Sequence, residues 1–264
     1  MNSPAEIARM YLTVGAAKTR LSPLKMFILS LFAGMFIAFG GFGSSIASCG
    51  VQPQALSRLL SATVFPIGLM MVIVAGAELF TGNCLIIVPV LARRASVLGM
   101  LYNWLVVYIG NFIGSLFVAI AVVVGHSMQL YDGALATAAI ATANAKIALS
   151  FGDAFVRGIF CNVMVCIAVW VSFAAKDIAG KISALYLPVF LFVLVGFEHC
   201  IANMYFVPVG IFTAWFYKLD AGSLTWLKFL WANLLPVTLG NIVGGAVIVG
   251  GGYWLAYIRG STNY

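Results

Sequence analysis

Three ionisable residues stand inside long apolar stretches, and their spacing from other polar groups recurs. Glu78 lies in G-A-E-L-F-T-G-N (76–83), and Glu198 and His199 lie in G-F-E-H-C-I-A-N (196–203). A carboxylate in hydrocarbon surroundings is costly and stays there only with a partner or a task. Two readings are open for each Glu: its oxygens accept from backbone N–H groups freed by a helix break, or it handles protons. His199 is either a satisfied interior residue or a group that holds or shares a proton near neutral pH. Thr81, in the first cluster, offers a hydroxyl without a charge. The chain has no H-E-x-x-H, no G-x-S-x-G and no second histidine beside His199 to help hold a metal. A membrane-embedded enzyme is therefore the weaker reading, and no metal or cofactor is expected.

The elements that position these groups must cross a membrane. Of 264 residues, 63% are hydrophobic and 8% charged, against about 25% charged in a soluble domain. No Asp, Glu, Lys or Arg occurs between Lys25 and Arg58, Arg94 and Asp132, Arg157 and Lys176, or Lys228 and Arg259. Stretches 59–92 and 182–217 hold one charge each, Glu78 and Glu198. Since about 20 apolar residues cross the hydrocarbon core as a helix, each stretch holds one span. That predicts an all-α membrane protein with six transmembrane segments.

The net charge of +7 is mainly a topology signal and does not point to nucleic acid. With the N-terminus inside, the inner segments carry Arg9, Lys18, Arg20, Lys25, Arg93, Arg94, Lys176, Lys181 and Arg259. The outer segments carry Arg58, Lys146, Arg157, Lys218 and Lys228, nine against five. This bias puts both termini in the cytoplasm. Residues 1–25 lack an apolar core followed by a cleavage site. Instead Ser3-Pro4-Ala5-Glu6 predicts a helix start with a capping box. Ile7, Met10, Tyr11 and Val14 follow at helical spacing, so an amphipathic helix within 1–24 is expected to lie on the inner membrane face. A pore domain then occupies 25–259 and a short tail 260–264. The five cysteines form no C-x-x-C pair and read as free, small hydrophobes.

The two halves of the chain echo each other. Asn103, Leu105, Val107, Gly110, Asn111 and Gly114 recur 130 residues later as Asn233, Leu235, Val237, Gly240, Asn241 and Gly244. Gly76-Ala77-Glu78 recurs as Gly196-Phe197-Glu198, and more weakly Gly34-Met35-Phe36 as Gly158-Ile159-Phe160. A period of three spans requires the second copy to enter from the opposite side. Inverted repeats of this kind place a substrate path at the midplane between the copies. Packing of small residues explains the glycines equally well, but not the paired Glu and Asn. Segments 59–92 and 182–217 would each be roughly 50 Å long as one helix, against a core of about 30 Å. Each carries its polar cluster near the middle, so both are expected to be broken there, over a protein-lined cavity.

The motifs A-E-L-F-T-G-N (77–83), G-N-F-I-G (110–114), C-N-V-M-V-C-I-A-V-W (161–170), G-F-E-H-C-I-A-N-M (196–204) and P-V-T-L-G-N-I-V-G-G (236–245) resemble the formate/nitrite transporter family over residues 25–259. The resemblance implies an aquaporin-like fold and a homopentamer with one pore per protomer in the cell (inner) membrane. It implies that His199 is the central pore histidine and Thr81 its partner. Leu69, Leu79 and Phe192 match constriction positions, and Phe65 lies near one vestibule. Asn162 matches a polar residue by the central site, and Lys146 a lysine that draws anions to the pore. Glu198 stands on the same path; Glu78, Asn111, Asn203 and Asn241 are structural polar groups of the pore helices.

A bare anion in an apolar constriction would cost tens of kcal/mol and neutralises instead. Lys146 would concentrate anions, and near His199 the anion would gain or share a proton. The expected substrates are therefore small monovalent anions of weak acids: nitrite, hydrosulfide or formate. Gly82 follows Thr81 where formate channels tend to carry Ser, a likeness to the nitrite and hydrosulfide members. A neutral-solute pore for water or glycerol is the nearest rival.

Overall fold

The computed structural model describes residues 1–260; of the expected tail, 261–264 lie outside the described residues. Ten helices and a short 3₁₀ turn at Ser127–Gln129 carry the regular structure of the described part. The helices are α1 (Pro4–Lys18), α2 (Pro23–Ser48), α3 (Gln54–Val74), α4 (Phe80–Leu91), α5 (Val97–Val124), α6 (Ala134–Ile147), α7 (Phe151–Ser172), α8 (Ile178–Val195), α9 (Cys200–Tyr217) and α10 (Trp226–Tyr257). Seven are long and apolar enough to cross a membrane, and α4 is a shorter apolar helix. The two segments expected to be broken are indeed divided, the first into α3 and α4, the second into α8 and α9. α10 is continuous but runs through wide π turns at Phe229–Leu234 and Val243–Gly251.

Close helix pairs form the frame that holds the breaks. α2 lies along α5, and α7 along α10. A Cβ at Gly114 would strike the Leu31 carbonyl of α2, and one at Gly244 the Ile159 carbonyl of α7. Small residues here let backbones touch, which is how helices attract one another in lipid. These contacts also correct the weak echo between Gly34 and Gly158. Leu31 corresponds to Ile159, so Gly158 corresponds to Ser30, one helical turn earlier. Small residues at both Ser30 and Gly34 make adjacent turns look alike in sequence.

α1 begins as expected. Ser3 Oγ accepts from Glu6 N at 3.4 Å, and Glu6 Oε2 accepts from Ser3 N at 2.6 Å. Its apolar face, however, is covered by protein and does not lie free for lipid. Ile7, Ala8, Tyr11 and Leu12 are buried, and the helix packs on the end of α4 and on α10. Asn2 fastens its start to the turn that follows α7 through N–H and side-chain bonds to the carbonyls of Ala174 (2.9 Å) and Phe173 (2.8 Å). The sequence shows an apolar stripe but not what it faces.

The alanine-rich run before Lys146 is a helix, α6, packed on α9. Large side chains such as Leu98, Leu105 and Phe117 of α5, with Trp231 and Val247 of α10, are exposed. They form apolar surface of the kind that meets lipid or a neighbouring subunit. All five cysteines are free, and four are buried.

Candidate functional site

Both breaks are made by the same local rule. Gly76 and Gly196 each take φ +77°, the left-handed conformation that ends a helix and that side chains resist. The residue after each closes the turn: Ala77 N–H donates to Val72 O at 2.8 Å, and Phe197 N–H to Phe192 O at 3.0 Å. The chain then runs extended through Leu79 (φ −111°, ψ 125°) and His199 (φ −108°, ψ 115°) before α4 and α9 begin.

Orphaned backbone groups at these breaks are satisfied by two asparagines. Asn111 Oδ1 accepts from Phe80 N at 2.9 Å, and its amide donates to the carbonyls of Ser30 (2.8 Å) and Glu78 (2.9 Å). Asn241 repeats the pattern: Oδ1 accepts from Cys200 N at 2.9 Å, and the amide donates to Gly158 O (2.7 Å) and Glu198 O (3.0 Å). Each asparagine thus stitches three chain segments together in a place where water cannot.

The carboxylates do something else. Glu78 accepts from Asn83 at 2.7 Å and from Lys18 Nζ at 2.7 Å. Glu198 accepts from Asn203 at 2.7 Å and from Lys146 Nζ at 3.0 Å through both oxygens. Asn83 and Asn203 also donate to Asn103 and Asn233, whose amides donate to the backbone carbonyls of Lys18 (3.2 Å) and Lys146 (3.0 Å). The reading in which Glu oxygens take freed backbone N–H groups is therefore corrected. Asparagines take those groups, and each Glu pairs with a lysine, so neither carboxylate is a bare charge. Spacing located the carboxylates but gave no sign of Lys18, which arrives from α1.

Between the breaks Thr81 Oγ1 lies 2.9 Å from His199 Nε2. His199 Nδ1 accepts from Ala202 N–H at 3.0 Å, capping α9. With Nδ1 an acceptor, the single ring proton sits on Nε2 and points to the Thr81 oxygen, leaving the Thr81 hydroxyl proton free for another acceptor. Thr81 is held in turn: its carbonyl accepts from Asn162 Nδ2 at 3.2 Å and from Cys166 Sγ at 3.3 Å. Asn162 also donates to Asn241 O at 2.6 Å. It reaches the site through backbone, not through the open path.

The pair lies between two cavities. The wider, about 780 Å³, reaches Phe65, Phe192 and His199. The Phe192 ring stacks against His199 at 6.0 Å, and Phe65 meets Phe192 edge-on at 5.7 Å. The narrower, about 200 Å³, is bounded by Leu69 and Leu79. Phe65, Leu69, Leu79 and Phe192 are all almost fully buried, so apolar side chains flank the pair on both sides.

Lys146 faces the wide cavity, yet its charge is shared with Glu198 and it lies 5.4 Å from the Phe206 ring. Two further cations line this cavity, Arg58 and Arg157, and neither has an ion pair among the described residues. Sequence reasoning used them only to count charges by side. For Arg58 a signal was available, since it stands next to the apolar segment that leads to the first break; Arg157, within the unbroken α7, carried none.

The formate/nitrite transporter family model matches residues 5–255. The chain is 40% identical over 275 residues to the probable formate transporter of Methanothermobacter thermautotrophicus, covering 97% of each. It is 35% identical over 274 residues to the formate channel FocA of Escherichia coli (strain K12), covering 99% of this chain and 96% of that one. Among solved structures, a pentameric formate channel with formate bound superposes with TM-score 0.82 at 36% identity, over 90% of this chain and 98% of the other. An ion channel of the same family superposes with TM-score 0.86 at 30% identity, over 95% and 98%.

Proposed function

Because the chain belongs to the formate/nitrite transporter family, we propose that it is a channel passing formate and related small monovalent anions of weak acids, with a proton shared at His199. It is a transport protein and not an enzyme, as its relatives are channels and transporters. The observation that carries the reading is the Thr81–His199 bond of 2.9 Å, reached at His199 by the wide cavity, with a second cavity ending nearby at Leu79 and Gly82.

An anion drawn into the wide cavity by Arg58, Arg157 and the Lys146–Glu198 pair passes the Phe65 and Phe192 rings. Beyond them it loses water, and its charge must be offset or removed. The Thr81 hydroxyl donates to it, polarised by the His199 N–H behind. Were His199 to take a second proton, Nδ1 would become a donor facing the Ala202 N–H. The geometry thus favours a shared hydrogen bond to an acid whose proton comes from water, with His199 remaining neutral. Leu69 and Leu79 form the matching apolar barrier on the far side.

The architecture that fits this reading has six crossings in two inverted three-helix repeats. α3 with α4 and α8 with α9 are the broken pair, and five copies assemble with one pore each. The chain sits in the inner membrane with both termini cytoplasmic, so the narrow cavity opens inward. The two asparagine locks, repeated bond for bond, support the repeat, and the charge bias of the loops supports the orientation.

A liposome flux panel of formate, nitrite, hydrosulfide and lactate across a pH range tests the proposal. Formate flux well above empty liposomes is expected. No flux of any of the four, or rapid osmotic swelling with glycerol instead, overturns it.

A further inference from the structure

Away from the central pair, an open groove of about 670 Å³ lies where α2 and α5 begin. Arg20, Arg93 and Arg94 line it, with Thr19 and Ser96, and no acidic residue does. All three arginines are exposed, and none has an ion pair among the described residues. The turn that carries two of them is held by one acceptor, the Pro89 carbonyl, which receives the N–H groups of Arg94 (2.7 Å) and Ala95 (3.2 Å). Arg93 takes φ +58°, a conformation that side chains resist, and the two consecutive arginines both reach the groove wall. Three like charges on one wall repel each other, and a counter-charge seated among them relieves that repulsion.

The surface beside the groove identifies the counter-charge. Val97 closes one side, and Leu98, Leu101 and Leu105 continue from it along one outward face of α5, 80%, 48% and 59% exposed. Basic groups at the start of a membrane span, continued by an apolar stripe, match an amphiphile with an anionic head and hydrocarbon tails. A second copy of this chain supplies the opposite charge poorly. The carboxylates at this end of the molecule are Glu6, Glu78 and Asp177. Glu6 and Asp177 already cap α1 and α8, and Glu78 is paired with Lys18. A phosphodiester, by contrast, offers two acceptor oxygens that fit guanidinium forks.

We propose that this groove binds one anionic phospholipid, its phosphate held by Arg20, Arg93 and Arg94 and its acyl chains laid along Leu98, Leu101 and Leu105. The lipid then ties the link between α1 and α2 to the turn between α4 and α5. The site depends on these helices crossing a membrane and not on what passes between them.

Native mass spectrometry of the detergent-solubilised protein, titrated with dioleoyl phosphatidylglycerol or dioleoyl phosphatidylcholine, measures the site. Wild-type protein is expected to bind phosphatidylglycerol more tightly by about tenfold or more. Arg93→Gln with Arg94→Gln should weaken that binding roughly 30-fold, the loss of two basic contacts to an anionic headgroup, and Arg20→Gln alone about fivefold. Phosphatidylcholine binding should not change. Lys176→Gln with Lys181→Gln removes the same charge outside the groove and should cost less than about threefold, because salt at about 0.15 M screens exposed charges. The rise in melting temperature with added phosphatidylglycerol should disappear in the arginine double variant and persist in the lysine one. Equal wild-type affinity for the two lipids, or equal losses in the two double variants, overturns the site. So does protection by inorganic phosphate equal to that by phosphatidylglycerol, which would make the groove a soluble-anion site. A wild type without lipid preference, whose arginine variant falls into smaller oligomers, would make the face a contact between copies and overturn the proposal as well.

Discussion

Thr81 and His199 share a hydrogen bond of 2.9 Å, yet they are not counterparts in the two halves of the chain. At the 120-residue offset that relates Glu78 to Glu198, the counterpart of His199 is Leu79, and that of Thr81 is Ile201. The locking groups repeat, and the groups of the central pair do not. Replacing Thr81 by Val should reduce formate flux by about tenfold, the loss of roughly one good hydrogen bond, with the fold intact by circular dichroism. His199→Ala should change the ratio of formate to chloride flux or its pH dependence. Wild-type flux and selectivity in both variants would rule out the shared-proton site.

Asn111 and Asn241 should be similarly intolerant of change. Asn111→Leu removes one acceptor and two donors, leaving Phe80 N, Ser30 O and Glu78 O buried without them. At about 1 kcal/mol each, the cost is about 3 kcal/mol. Asn241→Leu should cost about as much. Thermal unfolding in detergent measures both, and a loss in only one variant would show that the two locks are not energetically equivalent.

The Lys146–Glu198 pair separates charge compensation from anion attraction. Lys146→Ala strands a carboxylate whose side chain is 8% exposed, at a cost of about 3–5 kcal/mol. Adding Glu198→Gln removes the stranded charge and should recover more than half of that stability. If flux recovers too, the lysine acts chiefly through Glu198. Flux that stays low in the stable double variant assigns attraction of anions to the Lys146 charge itself.

Phe192 stacks against His199 at the wall of the wide cavity. Phe192→Ala should wet this wall, because apolar constrictions close by excluding water. Faster osmotic water flow and weaker rejection of chloride are expected in proteoliposomes. Unaltered water and chloride permeability would place the barrier elsewhere.

Gly82 can be tested for substrate choice without disturbing packing. A Cβ there would meet only Val169 Cγ2, at 3.5 Å, an ordinary contact. Gly82→Ser should therefore fold with an unchanged melting temperature, and the ratio of formate to nitrite flux reads its effect directly. A constant ratio would remove this position from the argument about substrate.

The helical membrane fold, the two breaks and the carboxylates beside them were legible because charge in an apolar stretch is rare and leaves a mark; the pairing of Thr81 with His199 came from the family resemblance. Gly76 and Gly196 announced the breaks together with the carboxylates beside them. Lys18 as partner of Glu78 was not legible, since a lysine 60 residues away carries no local signal. The covering of Tyr11 was hidden for the same reason: periodicity reveals an apolar face but not its neighbour. α6 was missed as an element because its alanines signal helix without amphipathic contrast. The resemblance to a known family supplied roles for Leu69, Leu79, Phe192 and Asn162 that spacing alone did not.

The difference between Leu79 and His199 has a consequence for the direction of flow. On the proposed path, a solute starting at the Phe65 end meets aromatic rings, then imidazole and hydroxyl, then leucines; one starting at the other end meets that series reversed. Detailed balance forbids such a path from pumping, so equal concentrations on both sides give no net movement. Its conductance under opposite gradients need not match, because occupancy before the main barrier differs at the two ends. Rectification, with equilibrium untouched, is the signature expected of a path whose two ends carry unlike chemistry.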